Sequence, residues 1–469
     1  MRSLVTPPHI AELAGQRVAI WGFGREGKAA IAALRQRLPE QALTLFCTTA
    51  EAEAARAFDA ALDVRDDEPD TAALAAFDVV IKSPGISAYK PALLAAAKQG
   101  TCFTSGTALW FGENECKKSG FEKGQPSQVI AVTGTKGKST TSALIAHLAR
   151  ALGVRTALAG NIGMPLLELL DQSAELWVIE LSSFQTAEAG PLALGVITSL
   201  YEEHLDWHGS RERYVTDKLK LTGMSQKLLI NATQDVLLEQ TSSHPNVIVF
   251  GDTHGWHVAN GYIRRGRKSV LAVDALSVPG LHNALNACAA LAALEAVGLD
   301  AMKAAPALAN FQPLPHRLQS LGDRHGLHWV NDSISTTPQA TLAALESLQG
   351  RQITVLVGGH DRGLDWSSFV EAVAEDPPWA IICSGANGPR IATALREVEA
   401  VTEIAQVDGL DAAVERARQL TPQGGCVLLS PGAPSFDQFR DYAERGRRFA
   451  ELAGFEGVAI AGIAGLGIA

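Results

Sequence analysis

Three times in this chain a short β-branched run enters a glycine-rich turn and then a stretch rich in alanine and leucine: RVAIWGFGREGKAAIAAL, QVIAVTGTKGKSTTSALIAHLA and ITVLVGGHDRGLDWSSFVEAV. A strand that turns into a helix and then begins again is the unit of a parallel sheet covered by helices, so an α/β fold is expected. Two interruptions divide the chain. Lys117 to Ser127, KKSGFEKGQPS, is polar and broken by Gly and Pro just before a new strand. In FQPLPH, from Phe311 to His316, two prolines end an alanine-rich helical stretch. At about 150 residues per domain the chain length allows roughly three, and these breaks set the expected blocks at 1–124, 125–313 and 314–469.

Composition excludes several functions. With 50 acidic and 40 basic residues the net charge is −10, which opposes a non-specific grip on nucleic acid. The six cysteines are scattered without a CxxC pair, as in a reduced cytoplasmic protein without disulfides. The opening MRSLVTPPHIAELAG has no apolar core and no small-residue cleavage site, and no run approaches the ~18 apolar residues of a membrane span. A cytoplasmic enzyme acting on small molecules, without membrane contact, is the expectation. The apolar tail VAIAGIAGLGIA is too short to cross a bilayer and is expected to dock on the last domain.

The sharpest motif is Gly134-Thr135-Lys136-Gly137-Lys138-Ser139-Thr140, between an apolar strand and a helix. Amides of such a loop cradle phosphate oxygens, Lys138 adds positive charge and Ser139 offers a Mg²⁺ ligand. Val132 stands where the common form of this motif has its first glycine, so the loop is a compact variant. A plain glycine-rich αβ turn is the alternative. Downstream, Glu180 closes the strand-like run WVIE as a Mg²⁺ carboxylate candidate, and His204 is a candidate ligand for a second ion. Their ordinary counterparts are a hydrogen-bonded loop histidine and, for Lys218, a solvated helix face. In the first block Gly22, Gly24 and Gly27 spell GxGxxG after a strand. The following strand ends in TLFCTT, without the acidic residue a dinucleotide site uses on ribose.

GTKGKST, GNIG, ELSSFQ, EEHLDWHGS followed by Tyr214 and Lys218, LHNALNACAA, PHR, NDS and LLSPGAPSFDQF follow one another in this order. The series resembles the Mur ligases, most nearly those of the MurD type, which attach glutamate to UDP-N-acetylmuramoyl-L-alanine during peptidoglycan precursor synthesis. The resemblance covers essentially the whole chain. It implies a Rossmann-like N-terminal domain, a central P-loop ATPase-type domain and a Rossmann-like C-terminal domain. It also implies a monomeric ATP-dependent ligase that makes an acyl phosphate for an amine to attack.

Under that resemblance Lys138 and the loop from Gly134 to Thr140 hold the β- and γ-phosphates, and Ser139 and Glu180 hold Mg²⁺. A carbamylated Lys218 supports a second Mg²⁺ beside His204. Asn283 lies by adenine, or simply caps a helix; Arg317 clamps phosphate and Asp332 meets the ribose. Because these last two come from the third block, domain closure is expected to complete the ATP site. The turn Gly24-Arg25-Glu26-Gly27 is assigned to the diphosphate of the UDP substrate. Ser83-Pro84-Gly85, Asn161 and, on the uracil side, Thr48 are further contacts.

For the incoming amino acid the candidates are Thr336, Arg362, Ser435 and Tyr442, with Arg able to grasp a carboxylate bidentately. Enzymes of this type that add D-glutamate commonly read NDSKATN, whereas this chain reads NDSISTT, with Ile334 in place of the lysine. A changed acceptor anchor favours L-glutamate, the substrate of a MurD variant whose product a separate epimerase then inverts. The alternatives are an ordinary D-glutamate enzyme, a relative acting on another substrate such as folylpolyglutamate synthase, and a non-catalytic P-loop protein. A first block of about 124 residues suited to UDP opposes the folate branch, and His204 with Lys218 would have no purpose in a binding protein.

Overall fold

The computed structural model describes residues 8–119, 127–201, 210–278, 280–312, 314–398, 403–455 and 466–469. In the first block five short strands, β1 (Val18–Trp21), β2 (Leu43–Phe46), β3 (Asp63–Arg65), β4 (Val79–Lys82) and β5 (Cys102–Thr104), form one sheet in the order β3-β2-β1-β4-β5. All four pairings are parallel. β1, β2 and β4 are buried along their whole length, as apolar strands covered on both faces must be. The chain first runs outward from β1 through β2 to β3, then crosses back to β4. In such a sheet the crevice between β1 and β4, at the carboxyl ends of the strands, is where ligands bind.

The second sheet repeats the logic. Strands β6 (Gln128–Thr133), β7 (Thr156–Gly160), β8 (Leu176–Glu180), β9 (Leu192–Ile197), β10 (Ser225–Asn231) and β11 (Val247–Phe250) are parallel, in the order β11-β10-β9-β6-β8-β7. Its order reverses at β6, so the loop after β6 again lies at a switch point. Strands β12 (Trp256–Ala259), β13 (Tyr262–Arg265) and β14 (Lys268–Ala272) form a separate antiparallel sheet. β12 and β13 are joined by Asn260-Gly261, whose φ values of 51° and 74° suit a two-residue hairpin.

In the third block β15 (Gln319–Arg324) and β16 (Leu327–Asn331) form a hairpin on the edge of a parallel sheet with β17 (Ile353–Val357), β18 (Ala380–Cys383), β19 (Ile404–Gln406) and β20 (Cys426–Leu429). The order is β15-β16-β20-β17-β18-β19. Apolar clusters cover both faces, Trp329 and Phe449 on one and Trp366 and Phe369 on the other.

The apolar tail departs from expectation. β21 (Gly467–Ile468) pairs antiparallel with β7, and the Arg150 guanidinium donates to the Gly467 carbonyl over 2.9 Å. The tail therefore docks on the second sheet and not on the third block. The reason is physical: β7 would otherwise be an unpaired edge, and a short apolar strand satisfies it.

By compactness the chain divides into two units, Met1–Val273 with Leu285–Leu308 and Gly465–Ala469, and Asp274–Ala284 with Ala309–Ala464. The first two sheets share the first unit because they share a core, in which the Trp110 and Trp177 rings meet at 4.8 Å. Among the described residues no helix is long and apolar enough to cross a membrane. Cys47, Cys102, Cys288, Cys383 and Cys426 are free thiols.

Candidate active site

The strand-loop-helix expected around the GKST motif is present: β6 ends at Thr133 and the helix Lys138–Ala151 begins at Lys138. Gly134 has φ +146°, and a Cβ there would lie 2.1 Å from Thr198 Oγ1. Gly137 has φ +85°, and its Cβ would lie 2.5 Å from Asn286 Oδ1. Both positions require glycine. The loop is tied to the segment after β9: the Thr135 amide donates to the Ser199 carbonyl (2.9 Å) and the Lys136 amide to Ser199 Oγ (2.7 Å). These two amides brace the loop, and the first turn of the helix that follows has no carbonyl four residues back within the helix, the arrangement that suits an anion. The Lys138 ammonium curls back to the Thr135 carbonyl at 3.0 Å.

Glu180, at the end of β8 beside β6, is 1% exposed. Its Oε1 accepts from Asn161 Nδ2 at 2.7 Å, while Oε2 is buried with no partner. A buried carboxylate oxygen left unpaired is costly, and a hard divalent cation is what would satisfy it. Together with the half-buried Ser139, this donor set fits Mg²⁺. Among the described residues no cluster of three His, Cys, Asp or Glu side chains could hold a metal. His204 lies outside the described residues.

Lys218 is 2% exposed, so the solvated-face alternative fails; lysine is almost never so buried unless it is paired. It belongs to the helix Arg211–Met224, and its Nζ lies 4.8 Å from the Tyr214 ring centre. One turn earlier on the same face, the Tyr214 hydroxyl hydrogen-bonds Thr135 Oγ1 in the phosphate loop at 2.7 Å. Residue 217 faces the first sheet instead: Tyr89 donates its hydroxyl to the Asp217 carboxylate at 2.7 Å. Burial, then this carboxylate, push the Tyr89 phenol up to about 12.

At the first sheet's switch point the sequence-assigned loops meet. The turn Gly22–Gly24 follows β1 and Ser83-Pro84-Gly85 follows β4, with the Ser83 amide donating to the Trp21 carbonyl at 2.9 Å. A Cβ on Gly27 would lie 1.9 Å from the Gly22 carbonyl oxygen, so glycine is what lets the helix Arg25–Arg37 approach its strand. Thr48 is exposed beyond β2, where its hydroxyl bonds Glu51 in a capping box. Arg25 donates to the Gly163 carbonyl at 2.9 Å, which brings the GNIG segment to this turn. Glu26 has its carboxyl pushed up to about 7, first by burial, then by Glu188 and Glu168, with Arg25 opposing. Glu188 is itself paired with the buried Lys82 at 3.3 Å.

In the second unit, Arg317 sits between His316 and Leu318, both at positive φ (61° and 43°), a backbone that persists only where its surroundings enforce it. Asp332 enforces it by accepting the Leu318 amide at 3.0 Å. Its other oxygen accepts from Ser335 (2.5 Å) and Ser430 (2.8 Å), and burial pushes the carboxyl up to about 6 against these donors and Arg317. Asp332 thus braces the loop that presents Arg317, whose Nε is buried without a partner. The Tyr442 carbonyl accepts from Ser333 Oγ at 2.7 Å, so Tyr442 joins the same group. Thr336 is half-buried, and the Ile334 amide donates to the His316 carbonyl at 3.1 Å. Ser435 is 2% exposed; the exposed Arg362 guanidinium lies 5.9 Å from the ring centre of Phe436. Asn283 is in the first turn of the helix Leu281–Ala296, not at its cap.

Sequence reasoning missed Asn286, Ser199, Tyr89 and Asp217. Asn286 was within reach, standing three residues beyond Asn283 on the same helix. The others depend on packing between segments far apart in the chain.

The Mur ligase middle domain family matches residues 132–294, and the Mur ligase glutamate ligase domain family matches residues 316–432. A protein of Xanthomonas euvesicatoria pv. vesicatoria (strain 85-10) named UDP-N-acetylmuramoyl-L-alanine--L-glutamate ligase is 50% identical, over 98% of this chain and 99% of its own. A protein of the same name from Micromonospora sp. (strain ATCC 39149 / NRRL 15099 / SCC 1413) is 38% identical, over 94% of this chain and 97% of its own. Among solved structures, the UDP-N-acetylmuramate-alanine ligase MurC of Thermotoga maritima aligns at TM-score 0.60 and 19% identity, over 93% of this chain and 98% of that one. MurF ligase from Thermotoga maritima in complex with ADP aligns at 0.56 and 16%, over 97% and 99%. Half-identical to a named ligase over nearly its whole length, and matched by two Mur ligase family models, the chain belongs to the Mur ligase family.

Proposed function

We propose that this protein is an ATP-dependent, ADP-forming ligase that joins L-glutamate to UDP-N-acetylmuramoyl-L-alanine in peptidoglycan precursor synthesis. The observation that carries the reaction class is the phosphate loop bonded through Thr135 to Tyr214 on the helix that buries Lys218. The half-identity, nearly full-length relatives named for L-glutamate support the choice of enantiomer.

The substrate's alanyl carboxylate attacks the γ-phosphorus of ATP, ADP leaves, and the glutamate amine displaces phosphate from the acyl phosphate to form the amide. Charge develops on phosphoryl oxygens in both steps, so fixed donors stabilise each transition state. Lys138 and the first-turn amides at Lys138, Ser139 and Thr140 serve that role. Ser139 and Glu180, with Lys218 as its carbamate and His204, would hold Mg²⁺, which neutralises phosphate charge. Asn161 fixes the Glu180 carboxylate by its 2.7 Å hydrogen bond. The UDP end belongs at the first sheet's switch point, by Gly24 to Gly27, Ser83-Pro84-Gly85 and Thr48. Arg317, braced by Asp332, clamps phosphate and Asn283 approaches adenine. Thr336, Arg362, Ser435 and Tyr442 take the glutamate carboxylates.

The boundaries 1–124, 125–313 and 314–469, a monomeric state, a cytoplasmic location and a partner epimerase acting on the product belong to the same reading. The test is phosphate release by the full chain with ATP, Mg²⁺, the UDP-sugar peptide and L-glutamate. Release that requires all three substrates supports the ligase; release indifferent to either co-substrate contradicts it.

A further inference from the structure

Tyr89 lies four residues beyond Gly85, on the loop that leaves β4. Its hydroxyl donates to both Asp217 oxygens, at 2.8 and 2.7 Å, across 128 positions of sequence. The Arg213 guanidinium lies 5.2 Å from the centre of its ring. Arg213 and Asp217 are four residues apart and so share one face of the helix Arg211–Met224, which together they close around Tyr89. The neighbouring face, carrying Tyr214 and Lys218, is bonded to the phosphate loop. Asp217 is 4% exposed, its backbone carbonyl accepts from Thr186 at 2.6 Å, and Lys220 Nζ lies 2.6 Å from Oδ1. A carboxylate so enclosed cannot turn to water if the phenol is removed.

We propose that Tyr89 is a positioning residue: its bond to Asp217 ties the loop assigned to the nucleotide-sugar substrate to the helix that presents Lys218 beside the phosphate loop. This rests on the function proposed above. The helix is held from one side by the phosphate loop and from the other by the substrate loop. Lys218 is adjacent in sequence to the residue Tyr89 grips, so a shift of the Ser83–Tyr89 loop is passed to it through the Tyr89–Asp217 contact. The group Tyr89 acts through is Asp217.

The test uses the full chain carrying Tyr89→Phe, Asp217→Asn, or both. Tyr89→Phe keeps the ring and its stacking with Arg213 and loses only the hydroxyl. Three readouts are taken: kcat, the Kd of the UDP-sugar peptide by calorimetry, and the ¹³C signal of a lysine carbamate formed from labelled bicarbonate, with and without that substrate. The expected result for Tyr89→Phe is kcat lower by about tenfold with Kd within threefold of wild type. The carbamate signal is then expected to respond to the substrate in wild type and not in the variant. The double variant is expected to be no slower than the slower single one. An unchanged kcat, a loss wholly accounted for by Kd, or losses that multiply in the double variant overturns the link. A wild type without carbamate signal or turnover contradicts the underlying ligase reading instead, so the two failures are distinguishable.

Discussion

Lys138 is held at 3.0 Å from the Thr135 carbonyl, a contact it can exchange for a phosphate oxygen without moving the backbone. Lys138→Ala is therefore expected to lower kcat by about 10³-fold or more, with a melting temperature within a few degrees of wild type, as steady-state kinetics and calorimetry will show. Lys218 differs because it is buried. Lys218→Ala is expected to be inactive and to stay so in bicarbonate, whereas a short carboxylic acid entering the vacated space restores part of the activity. Full activity of this variant would remove the carbamate from the mechanism. Glu26 gives a pH dependence with a defined sign. Its carboxyl is raised from 4.5 to about 7 in the folded chain, so between those pH values the folded state binds the proton that the unfolded chain has released, and stability falls as pH rises. The full shift would be about 3 kcal/mol; because the side chain is half-buried, a loss on the order of 2 kcal/mol is expected. Denaturant titrations from pH 4.5 to 7.5 should show a smaller loss in Glu26→Gln than in wild type, the remainder including the buried Asp332 carboxyl.

At the scale of elements, the phosphate loop is the most sharply specified piece. A methyl group on Gly134 would strike Thr198 Oγ1 at 2.1 Å and hold an alanine at a φ reserved for glycine. Gly134→Ala is expected to cost roughly 1–3 kcal/mol of stability and to raise the KM for ATP, and unchanged kinetics would contradict the loop's role. This loop was legible in the sequence because strand, glycines, GKST and helix are contiguous. So were β1 and β17, as β-branched runs ending in glycine. The apolar tail showed that it must cover something, but hydrophobicity does not name its partner, and it took the edge of β7 instead of the third block. Tyr89 and Asp217 could not be paired from sequence, since nothing local in YKP or TDK requires a partner 128 residues away. The resemblance implies a ribose contact for Asp332, whereas its bonds to two serines and the Leu318 amide depend on packing that no local sequence signal announces.

At the scale of the molecule, the first unit holds the Gly24–Gly27 turn, the glycine-rich loop from Gly134 to Thr140, Glu180 and Lys218, and the second holds Arg317, Asp332 and Tyr442, with Arg362 and Ser435 beside Phe436. The proposed acceptor site belongs to the second of these groups, where Ile334 replaces the lysine common in enzymes that add D-glutamate. Inverting the α-carbon while keeping the amine aimed at the acyl phosphate moves a carboxylate, and the exposed Arg362 is the cation proposed to meet it. Where buried polar groups such as the Ser435 hydroxyl lose their partner the rejection reaches about 10⁴-fold, and an exposed anchor contributes less. The most direct measurement is kcat/KM for L- and D-glutamate by phosphate release at saturating ATP and UDP-N-acetylmuramoyl-L-alanine. L-Glutamate is expected to be favoured by at least about 100-fold, with amide product accompanying every phosphate released; a preference for D-glutamate would contradict the assignment.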